Sequence, residues 1–187
     1  MNITETEIRA ALLKQLARRA KTSSVQEELR IEQGSSRIDV AVIGKRLIGY
    51  EIKSDVDTFQ RFSNQIHSYN RVFDEITLVC GPKHADAAQL VIPSWWGLMI
   101  AQRDVKGAVV LDKVRDAGTN GKQDPFSLAS MLWKEEALEL LDDKAAPGSK
   151  RASSNALWEQ IALTFPLAAI KSFVKQTLVK RASVIAH

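Results

Sequence analysis

The chain has 187 residues, of which 45% are hydrophobic and 26% charged, and its formal net charge at pH 7 is +4. This composition excludes a disordered or fibrous protein and predicts one globular domain, or a core domain with a small helical appendage. No stretch approaches the roughly 20 consecutive apolar residues that cross a bilayer, and the first residues lack a continuous apolar core and a cleavage site, so we expect neither membrane insertion nor export. Because the single Cys80 cannot form an internal disulfide, we expect a cytoplasmic protein.

The first half of the chain alternates between helical and strand-like patterns. Apolar residues at helical spacing predict a first helix from about Thr4 to Ala20. Two turn-like segments then separate three short apolar runs, which predicts a three-stranded meander ending near Lys53. An amphipathic helix is predicted next, because apolar residues recur every three or four positions. Those residues are Phe59, Phe62, Ile66, Val72 and Phe73.

The second half begins with a continuous apolar run, residues 75–80, that predicts a central strand buried on both faces. A brief helix ending at Pro93, two further strands and a loop follow. From Phe126 onward the pattern is helical, with a linker at 144–154 and a division between two helices at Pro166. We therefore divide the chain into a core domain, residues 1–115, and a helical extension, residues 116–187.

The helical extension is basic from residue 144 onward. Seven lysines and arginines lie between Lys144 and His187, where Glu159 is the only acidic residue. Such a charge imbalance favours a polyanionic partner such as nucleic acid. A solvated surface that happens to be basic explains the imbalance equally well, so the extension alone does not decide between them.

Three charged residues interrupt the apolar strands of the meander: Asp39 in the second strand, and Glu51 and Lys53 in the third. Side chains alternate between the two faces of a strand, so Glu51 and Lys53 share one face. If the two strands pair through a turn at 44–46, Asp39 approaches that face. The same alternation places Ile38, Val40 and Val42 together on the opposite face of the second strand.

Two carboxylates near the middle of a sheet repel each other and lose hydration, so they require a compensating cation. Mg²⁺ is bound by one or two carboxylates together with waters and phosphate oxygens, which Asp39 and Glu51 are suited to supply. A nearby lysine, Lys53, can orient the attacking water at such a metal. The alternative is ordinary ion pairing at a sheet edge, with Asp39 against Arg37 or Lys53, and Glu51 against Lys53.

The segments "RIDVAVI" and "YEIKS", followed directly by a helix, resemble the PD-(D/E)XK nuclease superfamily. On this resemblance the motif residues are Asp39, Glu51 and Lys53, with Ile38 in place of the motif's proline. The resemblance implies an α/β fold with a restriction-endonuclease-like core, in which a central mixed sheet is flanked by helices and followed here by a C-terminal helical extension. The likeness covers residues 4–81 and extends more loosely through residue 101.

Two further segments strengthen the resemblance. In many of these nucleases an acid from the first helix or the start of the first strand completes the metal shell, which implies Glu28, with Glu27 as the less favoured substitute. The segment "QIHSY" is similar to the Gln-x-x-x-Tyr motif of the RecB-like branch and of a bacterial family of small PD-(D/E)XK proteins. Arg61, Gln65 and Tyr69 are spaced four apart and form one ridge of the helix, which implies contacts with DNA phosphate or with the catalytic lysine.

The resemblance implies a Mg²⁺- or Mn²⁺-dependent deoxyribonuclease in which Asp39, Glu51 and Glu28 bind the metal. DNA is the expected partner, with Lys171 and Lys175 of the basic C-terminal helices holding its backbone, and a homodimer is one option. The alternative is a non-catalytic module that keeps the nuclease fold and binds nucleic acid or another protein.

The tryptophans are assigned mainly to packing rather than to base stacking. One member of the adjacent pair Trp95 and Trp96 is expected to face the core, because neighbouring strand residues point to opposite faces. Trp133 and Trp158 lie among leucines at helical spacing, which predicts that both are buried. His67 and His84 lack the paired spacing of zinc ligands, so surface roles are favoured for both.

Overall fold

The computed structural model describes residues 2–19, 23–60, 62–146 and 148–185, which form six strands and seven α-helices. The strands are β1 (Ser24–Ile31), β2 (Ser36–Ile43), β3 (Leu47–Lys53), β4 (Glu75–Cys80), β5 (Gly97–Arg103) and β6 (Val109–Arg115). The helices are α1 (Glu5–Arg19), α2 (Phe62–Asn70), α3 (Ala85–Val91), α4 (Pro125–Ala129), α5 (Lys134–Leu141), α6 (Ser154–Thr164) and α7 (Leu167–Ile185).

All six strands form one mixed sheet in the order of the sequence, β1-β2-β3-β4-β5-β6. The first three strands are antiparallel neighbours, as the predicted meander requires. Strands β3, β4 and β5 are parallel, and β6 returns antiparallel to β5. The predicted central strand is confirmed, since β4 lies in the interior of the sheet and every residue after Glu75 is buried.

Hydrophobic layers cover both faces of the sheet, so the predicted α/β architecture with flanking helices is confirmed. One layer packs Ile8, Leu12 and Leu16 of α1 against Val40, Val42 and Ile52. The other layer contains residues of α2 and α3 together with residues of α4 to α7. The C-terminal helices therefore share a hydrophobic core with the sheet, while the boundary at residue 115 stays a prediction.

The alternation predicted for β2 is wrong at its first residues. Ile38 packs with Ala41 and Ile43 in the layer that contains α2, whereas Val40 and Val42 lie in the layer that contains α1. The side chain of Ile38 occupies the space beside Gly49. A β-carbon on residue 49 would lie only 2.4 Å from the Cδ1 of Ile38. The strand therefore changes face across Asp39, the residue between them, and regular period-two alternation resumes only at Val40.

Two predicted helices are shorter than their apolar patterns suggested. Helix α2 covers only residues 62–70, so Phe59 precedes it and Phe73 follows it, although both contribute to the core. The predicted helix over 126–143 is divided into α4 and α5. The division occurs because Glu136 accepts a hydrogen bond from the backbone N–H of Trp133, which starts a new helix at Lys134.

The division also changes the environment of Trp133. Its predicted burial is wrong: the residue is 61% exposed, and the guanidinium of Arg181 lies 4.1 Å from the ring centroid. Trp158 and Trp96 are buried as predicted.

Cys80 is buried, which raises the pKa of its thiol to about 12 and agrees with a packing role. Of the helices described, none combines the length and apolarity needed to traverse a bilayer.

Candidate active site

Asp39 lies where strands β2 and β3 separate. Their ladder runs from Ile43 opposite Leu47 to Val40 opposite Tyr50, and the next opposed residues would be Asp39 and Glu51. Instead, Oδ2 of Asp39 accepts a hydrogen bond from the backbone N–H of Ile52 at 2.6 Å. The carboxylate thus takes the place of a backbone acceptor and is held in the gap between the strands.

Glu51 is the most deeply buried carboxylate of this region, with only 2% of its surface exposed. Its Oε1 accepts hydrogen bonds from Lys53 Nζ at 2.8 Å and Gln65 Nε2 at 2.7 Å, and its Oε2 lies 2.8 Å from the Tyr69 hydroxyl. Burial, together with the negative charge of Asp39, raises the pKa of Glu51 to about 7, although Lys53 and Tyr69 oppose the shift. Glu51 and Asp39 therefore share one electrostatic environment.

Lys53 connects this network to solvent. Its ammonium donates to Glu51 and, at 3.2 Å, to Oε1 of Gln65, and it lies 5.4 Å from the ring centroid of Phe62. The side chain is 14% exposed. As predicted from strand alternation, Glu51 and Lys53 both contact α2, on the face opposite Ile52.

A second group of acids lies on the α1 side of Asp39. Oxygen atoms of Glu5, Glu28 and Asp39 all lie within 4.8 Å of one another. Glu28 adopts a left-handed conformation (φ 55°) within β1. In the pairing of β1 with β2, Glu27 and Leu29 have partners and Glu28 between them has none. A non-glycine residue in this conformation is strained, and such strain persists where surrounding structure imposes it. The bend brings Glu28, rather than Glu27, into this group of acids.

Arg9 of α1 occupies the middle of these acids. Its Nη2 lies 2.5 Å from Glu5, 2.7 Å from Glu28 and 3.1 Å from Asp39. Although burial opposes the shift, the hydrogen bond to Glu5 and the charges of Asp39 and Glu28 raise the pKa of Arg9 above its usual range. The guanidinium therefore supplies part of the positive charge that this group of carboxylates requires.

The donor chemistry of the region fits a hard divalent cation such as Mg²⁺ or Mn²⁺. All candidate ligands are carboxylate oxygens, which these ions prefer. Burial raises the pKa of Asp39 as well as that of Glu51, even though Arg9 and Lys53 favour the ionised form. Among the described residues around Arg9 and Glu51, five carboxylates face three cations, so formal negative charge is in excess there. The carboxylates are Glu5, Glu27, Glu28, Asp39 and Glu51, and the cations are Arg9, Arg37 and Lys53.

The carboxylates predicted as metal ligands divide between these two groups. Asp39 and Glu28 belong to the three mutually close acids, and Glu51 lies outside that group. Bringing a cation against Asp39 and Glu28 requires Arg9 to withdraw from them, because its Nη2 already contacts both. Asp39 links the two groups through its contact with Arg9 and its effect on Glu51.

A polar groove of about 880 Å³ opens beside Lys53 and Gln65. It runs along the start of β2, the loop after β3 and the first turn of α2. Within the described ranges, its lining carries three cations and one acid, so the groove is suited to a polyanion. The cations are Arg30, Arg37 and Lys53, and the acid is Asp57.

Tyr69 is not among the residues that line this groove, and its predicted contact with DNA phosphate or with the catalytic lysine stays a prediction. The residue is fully buried, and its hydroxyl lies 2.6 Å from the Arg37 carbonyl and 2.8 Å from Glu51. Burial and the charge of Glu51 raise its pKa, so the hydroxyl stays protonated and can donate. Tyr69 is therefore a positioning residue for Glu51. Gln65 lines the groove, and Arg61 lies outside the described residues.

Lys171, which is predicted to hold the DNA backbone, is paired within the fold, and its contact with DNA stays a prediction. Its ammonium pairs with the buried Asp74 and, at 3.1 Å, with Gln123. Asp74 in turn accepts from the N–H of Leu47, roughly 13 Å along β3 from Glu51. Lys175 donates to the carbonyl of Lys45 in the same hairpin. Lys171 therefore fastens α7 to the residue before β4, and Lys175 fastens it to the β2–β3 hairpin; neither lysine lines the groove.

Sequence reasoning missed Arg9, Arg30 and Arg37. Arg9 directly follows the buried Ile8 in α1, so its position beside the apolar stripe of the helix indicated that it faces the sheet. Arg30 and Arg37 are placed symmetrically about the turn at 32–35, which indicated a cross-strand pair. These signals become informative only once the register of β1 and β2 is known.

The chain was compared with known proteins. A model of the family described as bacteriophage P4 protein cII matches residues 1–184. The chain belongs to this family. It is 25% identical to protein cII of Enterobacteria phage P4 over 181 residues, which covers 96% of this chain and 68% of that protein. A solved structure of a protein of unknown function from Silicibacter pomeroyi shares 20% identity, with a TM-score of 0.47, over 74% of this chain and 92% of that one.

Proposed function

We propose that this member of the family is a Mg²⁺- or Mn²⁺-dependent nuclease that hydrolyses DNA phosphodiester bonds, built on a restriction-endonuclease-like core. The observation that carries the proposal is the gap between β2 and β3. There Asp39 accepts the N–H of Ile52, while the adjacent Glu51 is buried and held by Lys53 and Gln65. An ordinary ion pair at a sheet edge does not require a second buried carboxylate.

In this proposal Asp39, Glu28 and Glu51 provide the oxygen ligands. When bound, the metal would act as a Lewis acid and make a coordinated water more acidic. Lys53 has its ammonium between Glu51 and the groove, where it can hold a water for attack on phosphorus. Gln65 and Tyr69 keep Glu51 and Lys53 in place through hydrogen bonds. The groove beside Lys53 would receive the nucleic-acid backbone.

Purified protein should cut DNA in Mg²⁺ or Mn²⁺ and stop when the metal is chelated. Asp39→Asn and Lys53→Met should each reduce the cleavage rate about 100-fold or more, because each removes a group that acts in the transition state. Lys106→Met removes the same charge as Lys53→Met from the exposed β5–β6 turn and should cut normally. Circular dichroism would verify that all variants fold. Parental cleavage rates in both site variants would contradict the proposal.

A nucleic-acid-binding module without catalysis is the second candidate. It is favoured by Arg9, whose guanidinium already occupies the position among Glu5, Glu28 and Asp39 that a metal would take. Such a module would bind DNA with strong salt dependence and would leave it intact at every metal concentration. Binding without cleavage, and without any effect of Mn²⁺ on thermal stability, would favour this candidate over the nuclease.

A further inference from the structure

We propose that the cross-strand pair Arg30 and Arg37 binds a backbone phosphate of a nucleic-acid strand lying in the groove that Lys53 and Gln65 line. The inference rests on the proposed function, because it assigns a phosphate-binding position to the same groove. It adds two binding residues on β1 and β2 that lie outside the acidic motif.

The first observation is the register of the two strands. Arg30 and Arg37 are directly opposed in the antiparallel ladder between β1 and β2. Side chains of directly opposed residues lie on the same face, with β-carbons about 4.5 to 5.5 Å apart, and like charges in these positions destabilise a sheet. An anion placed between the two guanidinium groups would convert this repulsion into attraction.

The second observation is that the pair is incompletely neutralised. The side chain of Arg37 is 57% exposed, and its Nε lies 2.5 Å from Oε2 of Glu28. Arg30 is exposed, and its side chain makes no hydrogen bond or ion pair with any residue in the described ranges. Glu28 is itself shared with Arg9. The two arginines therefore retain donors for which the described part of the chain shows no hydrogen-bond acceptor.

The third observation is the position of the pair relative to the candidate site. Both arginines line the groove with Lys53 and Gln65. The carbonyl of Arg37 lies 2.6 Å from the Tyr69 hydroxyl, which also contacts Glu51. The backbone of Arg37 is thus separated from Glu51 by one side chain. A phosphate on the arginine pair would belong to the same strand as a phosphodiester beside Lys53.

The chemistry of the guanidinium group suits this role. Its planar fork of donors matches phosphate oxygens and forms paired hydrogen bonds that an ammonium cannot reproduce. The turn between the strands holds the pair in register through Glu32, Gln33 and Gly34, which all have positive φ. Two pre-aligned forks at the mouth of a groove fit a polymer backbone better than they fit a small neutral ligand.

The experiment measures binding of fluorescently labelled DNA by anisotropy in EDTA, over a range of salt concentrations. Single-stranded and duplex forms of one sequence are both tested. Arg30→Ala should weaken binding about tenfold and reduce the slope of log affinity against log salt by about 0.7 for a single strand or 0.9 for a duplex. Arg30→Lys should recover the slope but only part of the affinity.

Arg30→Ala is the decisive variant, because the side chain makes no hydrogen bond or ion pair with a described residue whose loss would disturb folding. Its melting temperature should equal or exceed that of the parent, since a like-charge repulsion is removed. The double variant Arg30→Ala/Arg37→Ala should weaken binding further. Lys106→Ala, which removes one charge from the opposite edge region of the sheet, should bind as the parent does.

Parental affinity and salt slope in Arg30→Ala and in the double variant would overturn the inference and leave the nuclease proposal standing. Conversely, binding that depends on the pair in a protein that never cuts DNA would refute the nuclease proposal and retain the inference. Failure of the parent to bind either form of DNA would overturn the inference.

Discussion

The fold contains two buried carboxylates that each lie beside a lysine, and they differ in how their charge is balanced. Asp74 is 4% exposed and Glu51 is 2% exposed. Asp74 pairs with Lys171 and also accepts from Gln123 and the N–H of Leu47. Despite burial, these hydrogen bonds lower the pKa of Asp74, whereas the pKa of Glu51 rises to about 7.

The difference arises from the neighbouring charges. Asp74 has a lysine and a backbone donor, so its charge is compensated by the fold itself. Glu51 has a lysine but also Asp39, whose negative charge raises its pKa. A buried acid with a lysine is therefore a structural feature when the charges balance. It becomes a candidate functional site when a second carboxylate leaves negative charge that only a proton or another cation can compensate.

The largest expected effect tests the balanced pair. Lys171→Met should lower the free energy of unfolding by about 3 to 5 kcal/mol, because it leaves Asp74 buried without its cation. Lys175→Met, one turn further along α7, loses only a contact with the carbonyl of Lys45 and should cost under about 1 kcal/mol. Urea denaturation of both variants measures the difference. Equal stabilities would show that Asp74 does not depend on Lys171.

The second effect uses pH to separate the two acids. Between pH 4.5 and about 7 the folded protein holds a proton on Glu51 that the unfolded chain releases. The stability supplied by this proton is complete below pH 4.5 and is lost as pH rises through about 7, a change on the order of 3 kcal/mol. Glu51→Gln should therefore be more stable than the parent at pH 8 in EDTA.

Asp74→Asn should change the stability at pH 8 in the opposite direction to Glu51→Gln. Because the pKa of Asp74 is lowered, its ionised form stabilises the protein above the unfolded pKa of 3.8, and that contribution is lost as pH falls. Asp74→Asn should thus be less stable than the parent at pH 8. Urea denaturation at pH 5 and pH 8 compares all three proteins. If Glu51→Gln and Asp74→Asn change stability in the same direction at pH 8, the contrast between the two acids is wrong.

The smallest effect concerns Arg9, the cation that lies among Glu5, Glu28 and Asp39 in the metal-free protein. Arg9→Gln should destabilise the metal-free protein by about 1 to 2 kcal/mol, because Glu5, Glu28 and Asp39 lose their partner. Mn²⁺ should then raise the melting temperature more in the variant than in the parent, since binding to the folded state alone stabilises it. Arg18→Gln, at an exposed position of the same helix, is the control. Equal shifts in all three proteins would refute the role of Arg9.

Much of the fold could be predicted because its elements differ in the period of their apolar residues. The continuous run of β4 and the three-to-four spacing after residue 59 are signals of this kind. Helix ends were less predictable, because they depend on single hydrogen bonds such as that from Trp133 to Glu136. The exposure of Trp133 follows from that division and from its contact with Arg181, which lies 48 residues later in the sequence.

The candidate site was predictable in part for the same reason. Alternation along β3 places Glu51 and Lys53 on one face, and the structure has them there. Alternation failed around Asp39 because its carboxylate replaces a backbone acceptor, and no sequence pattern encodes that substitution. The burial of Tyr69 and the pairing of Lys171 with Asp74 likewise depend on which element packs above each residue.

The sequence by itself determined the order of helices and strands and the three charged residues within the apolar meander, since both are local properties of the chain. Only the tertiary structure decided which charges meet: Arg9 with Asp39, Arg30 opposite Arg37, and Lys171 with Asp74. The reason is physical. Electrostatic balance depends on distances between segments far apart in the chain, and those distances exist only after the sheet and its covering helices have packed.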